Sequence, residues 1–131
     1  MTTEVTKNFY RGRRSDTLEA ITKYKVTHVV NVEWGFWDLF RNDNYDNIDF
    51  YLIDITEIRI RMSDFLLDPI RLIRAVNTIA DLLDKGFIVF LHCFSGKDRT
   101  GIVVVFFRVY YEGWTWAKAL DEWVQMGRHF W

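Results

Sequence analysis

The segment from His92 to Gly101 holds most of the side chains in this chain that are suited to catalysis. It reads His-Cys-Phe-Ser-Gly-Lys-Asp-Arg-Thr-Gly. Cys93 is the only cysteine of the chain, and Arg99 follows it six residues later. A thiolate is a strong nucleophile, and the planar guanidinium of arginine binds two phosphate oxygens at once. The spacing therefore predicts a nucleophile and an anion clamp on one loop.

The backbone of the same segment is suited to holding an anion. Gly96 and Gly101 allow the chain to curve and to approach a ligand closely. Successive amides of a tight loop, followed by a helix N-terminus, form a concave set of donors for phosphate. Cys93 would then lie as a thiolate beneath a bound phosphorus. The residues expected to line this anion cradle are Phe94, Ser95, Gly96, Lys97 and Asp98.

Alternating strands and helices are predicted to position the cradle. The strands are Phe9–Arg11, Thr27–Val32, Ile48–Ile55 and Phe87–His92. The helices are Thr17–Lys25, one from Pro69 to the stop at Gly86, Ile102–Tyr111, and one capped by Thr115 that ends at Met126. Such alternation predicts one α/β domain over residues 1–131, with a central, mostly parallel sheet of about four to five strands flanked by helices. The cradle would follow a central strand at its carboxyl end, where open α/β sheets bind ligands.

Local signals set several of these boundaries. Asp68 before Pro69 is a strong helix start, with the carboxylate as N-cap. Asp16 and Glu19 have the spacing of a capping box, in which Asp16 accepts from the Glu19 amide. Thr56–Leu67 shows neither helical nor strand periodicity, so it is predicted to be a long loop, and long loops inside compact domains are often functional.

The segment His92–Gly101 resembles the signature of the cysteine-based protein tyrosine phosphatases, His-Cys-x5-Arg-Ser/Thr. The ending Gly-Lys-Asp-Arg-Thr-Gly is most similar to the compact bacterial, viral and atypical dual-specificity branch, and to phosphoinositide phosphatases of the same superfamily. The likeness extends to Phe9–Gly12, to Val29–Val32 and to Met62–Phe65, which resembles the acid-bearing loop. The resemblance implies a phosphatase of this fold that uses no cofactor and no metal.

The resemblance also assigns roles to the loop residues. Cys93 would attack phosphorus and form a cysteinyl-phosphate, and Arg99 would clamp the phosphate oxygens. His92 would orient the loop and support the thiolate. Thr100 would donate its hydroxyl to the sulfur and so ease departure of the thiolate.

The general acid is predicted to be Asp64, which lies in the long loop ahead of the helix that begins at Pro69. It would protonate the leaving oxygen and later deprotonate water. Asp54, at the end of a predicted strand, is the main alternative, and Glu57 is a more distant one. Asp68 is less suited, because an N-cap carboxylate is already bound to backbone amides. The aromatic-Pro-Asp form of this loop is absent, so Asp64 rests on position alone.

Three neighbouring features have open interpretations. Lys97 either adds positive charge to the cradle or is a solvated loop lysine. Arg11, Arg13 and Arg14 form a basic cluster that either recognises substrate or, as such runs more often do, faces solvent. Trp34, Phe36 and Trp37 either wall a cleft against an aromatic ring or, as we favour, pack in the core.

Composition excludes several classes of protein. The chain has 131 residues, is 50% hydrophobic and carries a net charge of −1, which excludes disorder and argues against coating of nucleic acid or an anionic membrane. The longest apolar run, Ile102–Phe107, is too short to span a bilayer. A single cysteine and a polar N-terminus suggest a reducing, cytoplasmic location. We expect a monomer.

Three functions remain at this level. The first is a metal-independent phosphatase that acts on phosphotyrosine in a protein, with phosphoserine or phosphothreonine as further substrates. The second keeps the mechanism but acts on a phosphoinositide or another small polyanionic phosphomonoester, which Lys97 and the basic cluster would favour. The third is a phosphate-binding module without turnover. Sulfur transfer and arsenate reduction are rejected, since they need other patterns or further cysteines.

Overall fold

The computed structural model describes residues 1–33, 48–62, 68–94 and 97–127. Its strands are β1 Thr3–Thr6, β2 Phe9–Arg13, β3 His28–Asn31, β4 Thr56–Arg59 and β5 Val89–Cys93. Its helices are α1 Thr17–Lys23, α2 Pro69–Asp84, α3 Arg99–Tyr110 and α4 Trp116–Gln125, with a short 3-10 turn at Arg14–Asp16.

The five strands form one sheet in the order β1-β2-β5-β3-β4. β1 pairs antiparallel with β2, and the other pairs are parallel. β5 lies in the centre, and all five of its residues are buried, as expected of an apolar strand covered on both faces. The predicted α/β fold with a mostly parallel sheet is therefore confirmed, and its central strand ends at Cys93.

One predicted strand is wrong. Residues 48–55 do not form a strand, and β4 begins only at Thr56, within the segment predicted to be a loop. Tyr51, Leu52 and Ile53 are exposed in a turn, and Asp54 has φ 56°, which no strand residue adopts. Aromatic and β-branched composition favoured a strand there, but in the described chain only Phe50 and Ile55 pack against residues of the sheet, and the residues between them form the turn.

Most of the helix boundaries are confirmed. The Asp68 carboxylate accepts from the amides of Ile70 and Arg71, and Thr115 accepts from Lys118. α2 packs buried side chains such as Leu72 and Ile79 against the sheet, while Ile70 and Ile73 are exposed.

The predicted capping box at the start of α1 is wrong. Asp16 makes no capping bond to α1. Its carboxylate accepts instead from the Arg13 amide and from the Met1 ammonium group.

The helix predicted over Ile102–Tyr111 is confirmed, although it begins three residues earlier, at Arg99. In α3 its apolar side chains pack on both sides, against α2 and the sheet and against α4, and Val103, Val104, Val105 and Phe107 are buried. Burial on nearly all sides explains why β-branched residues are tolerated in this helix.

Candidate active site

The candidate site lies where β5 ends and α3 begins. Cys93, the last residue of β5, is buried, and Arg99, the first residue of α3, is 7% exposed. The side chain of Asp98, the N-cap residue of α3, makes no capping hydrogen bond. The first amides of α3 and the Cys93 thiol therefore adjoin the same short loop, as the sequence predicted.

His92 fixes the backbone at the end of β5. Its side chain is fully buried, and Nδ1 donates to the carbonyl oxygen of Cys93 at 3.3 Å. The ring stacks on Phe90 with centroids 5.6 Å apart. The His92 carbonyl accepts from the amide of Val32 at 2.9 Å. These contacts are those expected of a histidine that orients the loop.

Elements outside the loop hold two of its carbonyl groups. The amide of Arg14 donates to the carbonyl of Phe94 at 3.1 Å. The indole Nε1 of Trp123, on α4, donates to the carbonyl of Lys97 at 2.7 Å. The loop is thus fixed near both ends by residues that come from distant parts of the chain.

Two arginines in the first turns of neighbouring helices reach the segment after β4. Nη1 of Arg71, on α2, donates to the carbonyl of Arg61 at 2.8 Å. Nη1 of Arg99, on α3, lies 3.5 Å from the carbonyl of Met62, at the limit of a hydrogen bond. The segment that continues from Met62 toward α2 therefore starts beside the guanidinium of Arg99.

Thr100 is fully buried in the first turn of α3. Its Oγ1 has no hydrogen-bond partner among the residues that the structure describes. A buried hydroxyl without a partner is costly, which suits a group whose partner is the ligand or the reacting sulfur.

The basic cluster that follows β1 is not a solvated face. Arg11 is 3% exposed and Arg14 is also buried, so for these two residues the favoured interpretation is wrong, while Arg13 is exposed. Nη1 of Arg14 forms an ion pair with Oε2 of Glu33 at 3.3 Å. Arg14 follows β2 and Glu33 follows β3, and these two strands flank β5. The ion pair therefore connects the two segments of chain on either side of the site.

Arg11 places a second buried guanidinium beside the site. Burial lowers the pKa of Arg11, while the nearby charges of Cys93 and Glu122 oppose that change. An arginine remains protonated near neutral pH even so. Arg11 therefore adds positive charge on the side of the sheet that carries Cys93. No local pattern in the sequence predicts that Arg11 is buried.

Lys97 is half-buried and is associated with α4. A Cβ atom added to Gly127, just beyond α4, would lie 3.7 Å from Cε of Lys97. The carbonyl end of a helix attracts cations. The Lys97 side chain is therefore not fully solvated, and part of it lies beside the end of α4.

Asp54, the main alternative for the general acid, lies near the amino ends of the parallel strands, away from Cys93. In the parallel register, Thr56 is level with His28 and Val89. Val89 precedes Cys93 by four residues, about 13 Å along a strand, and Asp54 lies further back still. Glu57 is also within β4, where its Oε1 accepts from Arg59 Nε at 2.6 Å.

Several predicted residues lie outside the described part of the chain. They are Asp64, Ser95, Gly96, Trp34, Phe36 and Trp37. Asp64 follows Met62 by two residues, and Met62 contacts Arg99.

A sequence model of the tyrosine phosphatase family matches residues 55–109, which include β4, α2, β5 and nearly all of α3. No helix within the described ranges is long and apolar enough to cross a membrane.

Solved structures of phosphatases share the fold. TpbA of P. aeruginosa is 16% identical with a TM-score of 0.76, and the match covers 96% of this chain and 73% of TpbA. DUSP15 is 23% identical with a TM-score of 0.73, covering 95% and 74%. The core catalytic domain of the PP-IP phosphatase SIW14 from S. cerevisiae is 18% identical with a TM-score of 0.72, covering 95% and 74%. The chain therefore has the tyrosine phosphatase fold, as its resemblance to that family predicted.

Proposed function

We propose that this chain is a metal-independent phosphatase that hydrolyses phosphotyrosine monoesters, and also phosphoserine or phosphothreonine esters, through a cysteinyl-phosphate intermediate. The observation that carries the proposal is the junction of β5 and α3. There a buried cysteine, a buried arginine and a helix N-terminus without a side-chain cap adjoin one loop. The family match and the shared fold support phosphatase chemistry at this place.

In the first step, the thiolate of Cys93 attacks phosphorus in line with the leaving oxygen. The S–P bond forms as the P–O bond breaks, and the leaving oxygen takes a proton from the general acid. The loop amides and the guanidinium of Arg99 hold the three remaining phosphate oxygens and stabilise the charge of the transition state. Arg11 adds a buried positive charge near the sulfur.

In the second step, water attacks phosphorus and the S–P bond breaks. The former acid, now a carboxylate, takes a proton from the water. Thr100 donates its buried hydroxyl to the departing sulfur, and so stabilises the thiolate as a leaving group. Orthophosphate and the free thiolate remain.

We assign the general acid to Asp64. Met62 contacts Arg99, and Asp64 follows Met62 by two residues. Two residues of chain span at most about 7 Å, so Asp64 is covalently held near that contact. The position of Asp54 near the amino ends of the parallel strands, away from Cys93, supports Asp64 over Asp54.

A small polyanionic phosphomonoester is the second candidate substrate. Arg11 and Arg99 concentrate buried positive charge around Cys93, and one structural neighbour is a PP-IP phosphatase. The mechanism would be the same with either substrate class.

The test is hydrolysis of p-nitrophenyl phosphate with excess EDTA by the wild type and by Cys93→Ser. We expect the wild type to retain full activity and the serine variant to have none, while still binding tungstate. A need for added divalent metal, or turnover by Cys93→Ser, would contradict the proposal. Turnover of a phosphotyrosine peptide compared with an inositol polyphosphate at equal concentration would then assign the substrate class.

The same assay identifies the acid. Asp64→Asn should lose the basic limb of the pH–rate profile and should be slowest with alkyl phosphates, whose leaving groups need a proton most. Asp54→Asn is the matched control and should retain the wild-type profile. The reverse result would remove Asp64 from the mechanism.

A further inference from the structure

Helix α4 contacts the anion cradle through Lys97. The indole Nε1 of Trp123 donates to the Lys97 carbonyl at 2.7 Å, and the side chain of Lys97 lies beside Gly127 at the end of the helix. The match to the tyrosine phosphatase family ends at residue 109. α4 begins at Trp116 and is therefore outside the matched segment.

The orientation of one peptide unit follows from this contact. The peptide between Lys97 and Asp98 is trans, so the Lys97 carbonyl and the Asp98 amide point in opposite directions. When Trp123 holds the carbonyl toward α4, the Asp98 N–H is directed away from α4. The contact with Trp123 therefore sets the orientation of this peptide in the loop between Cys93 and α3.

The position of the indole is itself tightly fixed. Trp123 is 3% exposed and packs with Val105 and Ala119. A Cβ atom added to Gly101 would lie 1.9 Å from Nε1 of Trp123. Only glycine at this position lets the indole lie so close to the first turn of α3. The ring therefore has little freedom to rotate away from Lys97.

We propose that Trp123 is a positioning residue for the anion cradle: its indole N–H holds the Lys97 carbonyl, and so fixes the orientation of the Lys97–Asp98 peptide in the loop that binds phosphate. The proposal rests on the phosphatase function proposed above. Trp123 does not touch the substrate. It acts through the loop, and it makes α4 part of the machinery that prepares the site.

The test compares Trp123→Phe, which keeps a flat ring and removes the donor, with Trp116→Phe. Trp116 is on the same helix but is 44% exposed, and its ring packs on Phe106 and Tyr110. Tungstate affinity is measured by calorimetry, and kcat and KM are measured with p-nitrophenyl phosphate. We expect Trp123→Phe to weaken tungstate binding and to lower kcat/KM by about fivefold to tenfold, as for loss of one well-formed hydrogen bond. Trp116→Phe should match the wild type in both.

A purely structural role would lower the unfolding temperature of Trp123→Phe without changing tungstate affinity in the folded protein. If the phenylalanine variant does not fold, benzothienylalanine at position 123 keeps the shape of the indole and replaces its N–H with sulfur. The same loss of affinity is expected. If the wild type binds tungstate and turns over substrate, and the position-123 variant equals it, the inference is wrong and the proposed function stands. If the wild type does neither, the proposed function is wrong and the inference falls with it.

Discussion

Helices α2 and α3 both begin near the segment that follows β4, but their first turns are completed differently. At α2, the carboxylate of Asp68 accepts from the amides of Ile70 and Arg71 at 3.0 and 3.3 Å. At α3, the side chain of Asp98 makes no capping bond. The first-turn donors of a helix need partners. The Asp68 side chain supplies two of them at α2, whereas the Asp98 side chain supplies none at α3, whose first turn is joined to Cys93 by a short loop.

The two helices also differ in how they use an arginine. Arg71 is exposed and pairs with Asp68 at 3.4 Å, so its charge is balanced by the cap itself. Arg99 is buried in the first turn of α3, beside the Met62 carbonyl. A buried guanidinium at a helix N-terminus without a side-chain cap is suited to binding an anion, and a solvated one next to a carboxylate is suited to stabilising a helix end.

The largest effect on kcat/KM is expected from removing the guanidinium group of Arg99, with removal of the Arg71 guanidinium group as the comparison. Arg99→Met should lower kcat/KM for p-nitrophenyl phosphate by about 10²–10³-fold, because a donor aimed at developing charge is lost. Arg71→Met is the matched control and should change kcat/KM by less than about twofold, since an exposed ion pair contributes little. Steady-state kinetics on both variants measures the difference. Equal losses would mean that the two helix starts do not differ in function.

A smaller effect is expected at the buried hydroxyl of α3. Thr100→Val keeps the shape of the side chain and removes Oγ1, which has no partner among the described residues. We expect kcat to fall about tenfold, as for loss of one hydrogen bond to a charged group, and phosphoenzyme to accumulate. Rapid quench of the cysteinyl-phosphate, together with urea unfolding, measures both. Unchanged kcat with a large loss of stability would make the hydroxyl structural.

The smallest effect is expected at the cap of α2. Asp68→Ala should lower the free energy of unfolding by about 1 kcal/mol, because two amides lose their acceptor. Tungstate affinity and the basic limb of the pH–rate profile should both be retained. Calorimetric unfolding and a tungstate titration test this. Loss of the basic limb would instead make Asp68 the acid, and would undo the distinction between a structural and a functional helix start.

Local signals gave reliable predictions. Neighbouring residues identify the caps Asp68 and Thr115 and the stop at Gly86, because a cap or a turn depends on groups within four positions. The strand predicted over Phe87–His92 corresponds to β5, which runs from Val89 to Cys93. The strand predicted over Ile48–Ile55 failed for a related reason. Its composition suits a pleated surface, but strand formation depends on the neighbouring strand, and β3 pairs with Thr56–Arg59.

The wrongly predicted strand is also the reason why Asp54 is a candidate for the general acid in the sequence. A strand over Ile48–Ile55 would place Asp54 at its carboxyl end. With β4 beginning at Thr56, the same residue lies at the amino end, away from Cys93. The capping box at Asp16 failed because the Met1 ammonium and the Arg13 amide bind its carboxylate.

The sequence by itself determined the chemistry of the loop: a cysteine, an arginine six residues later, two glycines and a threonine, between an apolar strand and a helix. Their spacing along one short segment limits how far apart they can lie, so their association needs no knowledge of the fold. Only the tertiary structure decided which distant groups hold that loop. Arg11, Arg14 and Trp123 look like surface or core residues in the sequence, and become part of the site because β2 pairs with β5 and α4 packs on α3. Contacts between residues far apart in the chain depend on how whole elements pack, and no local pattern encodes that packing.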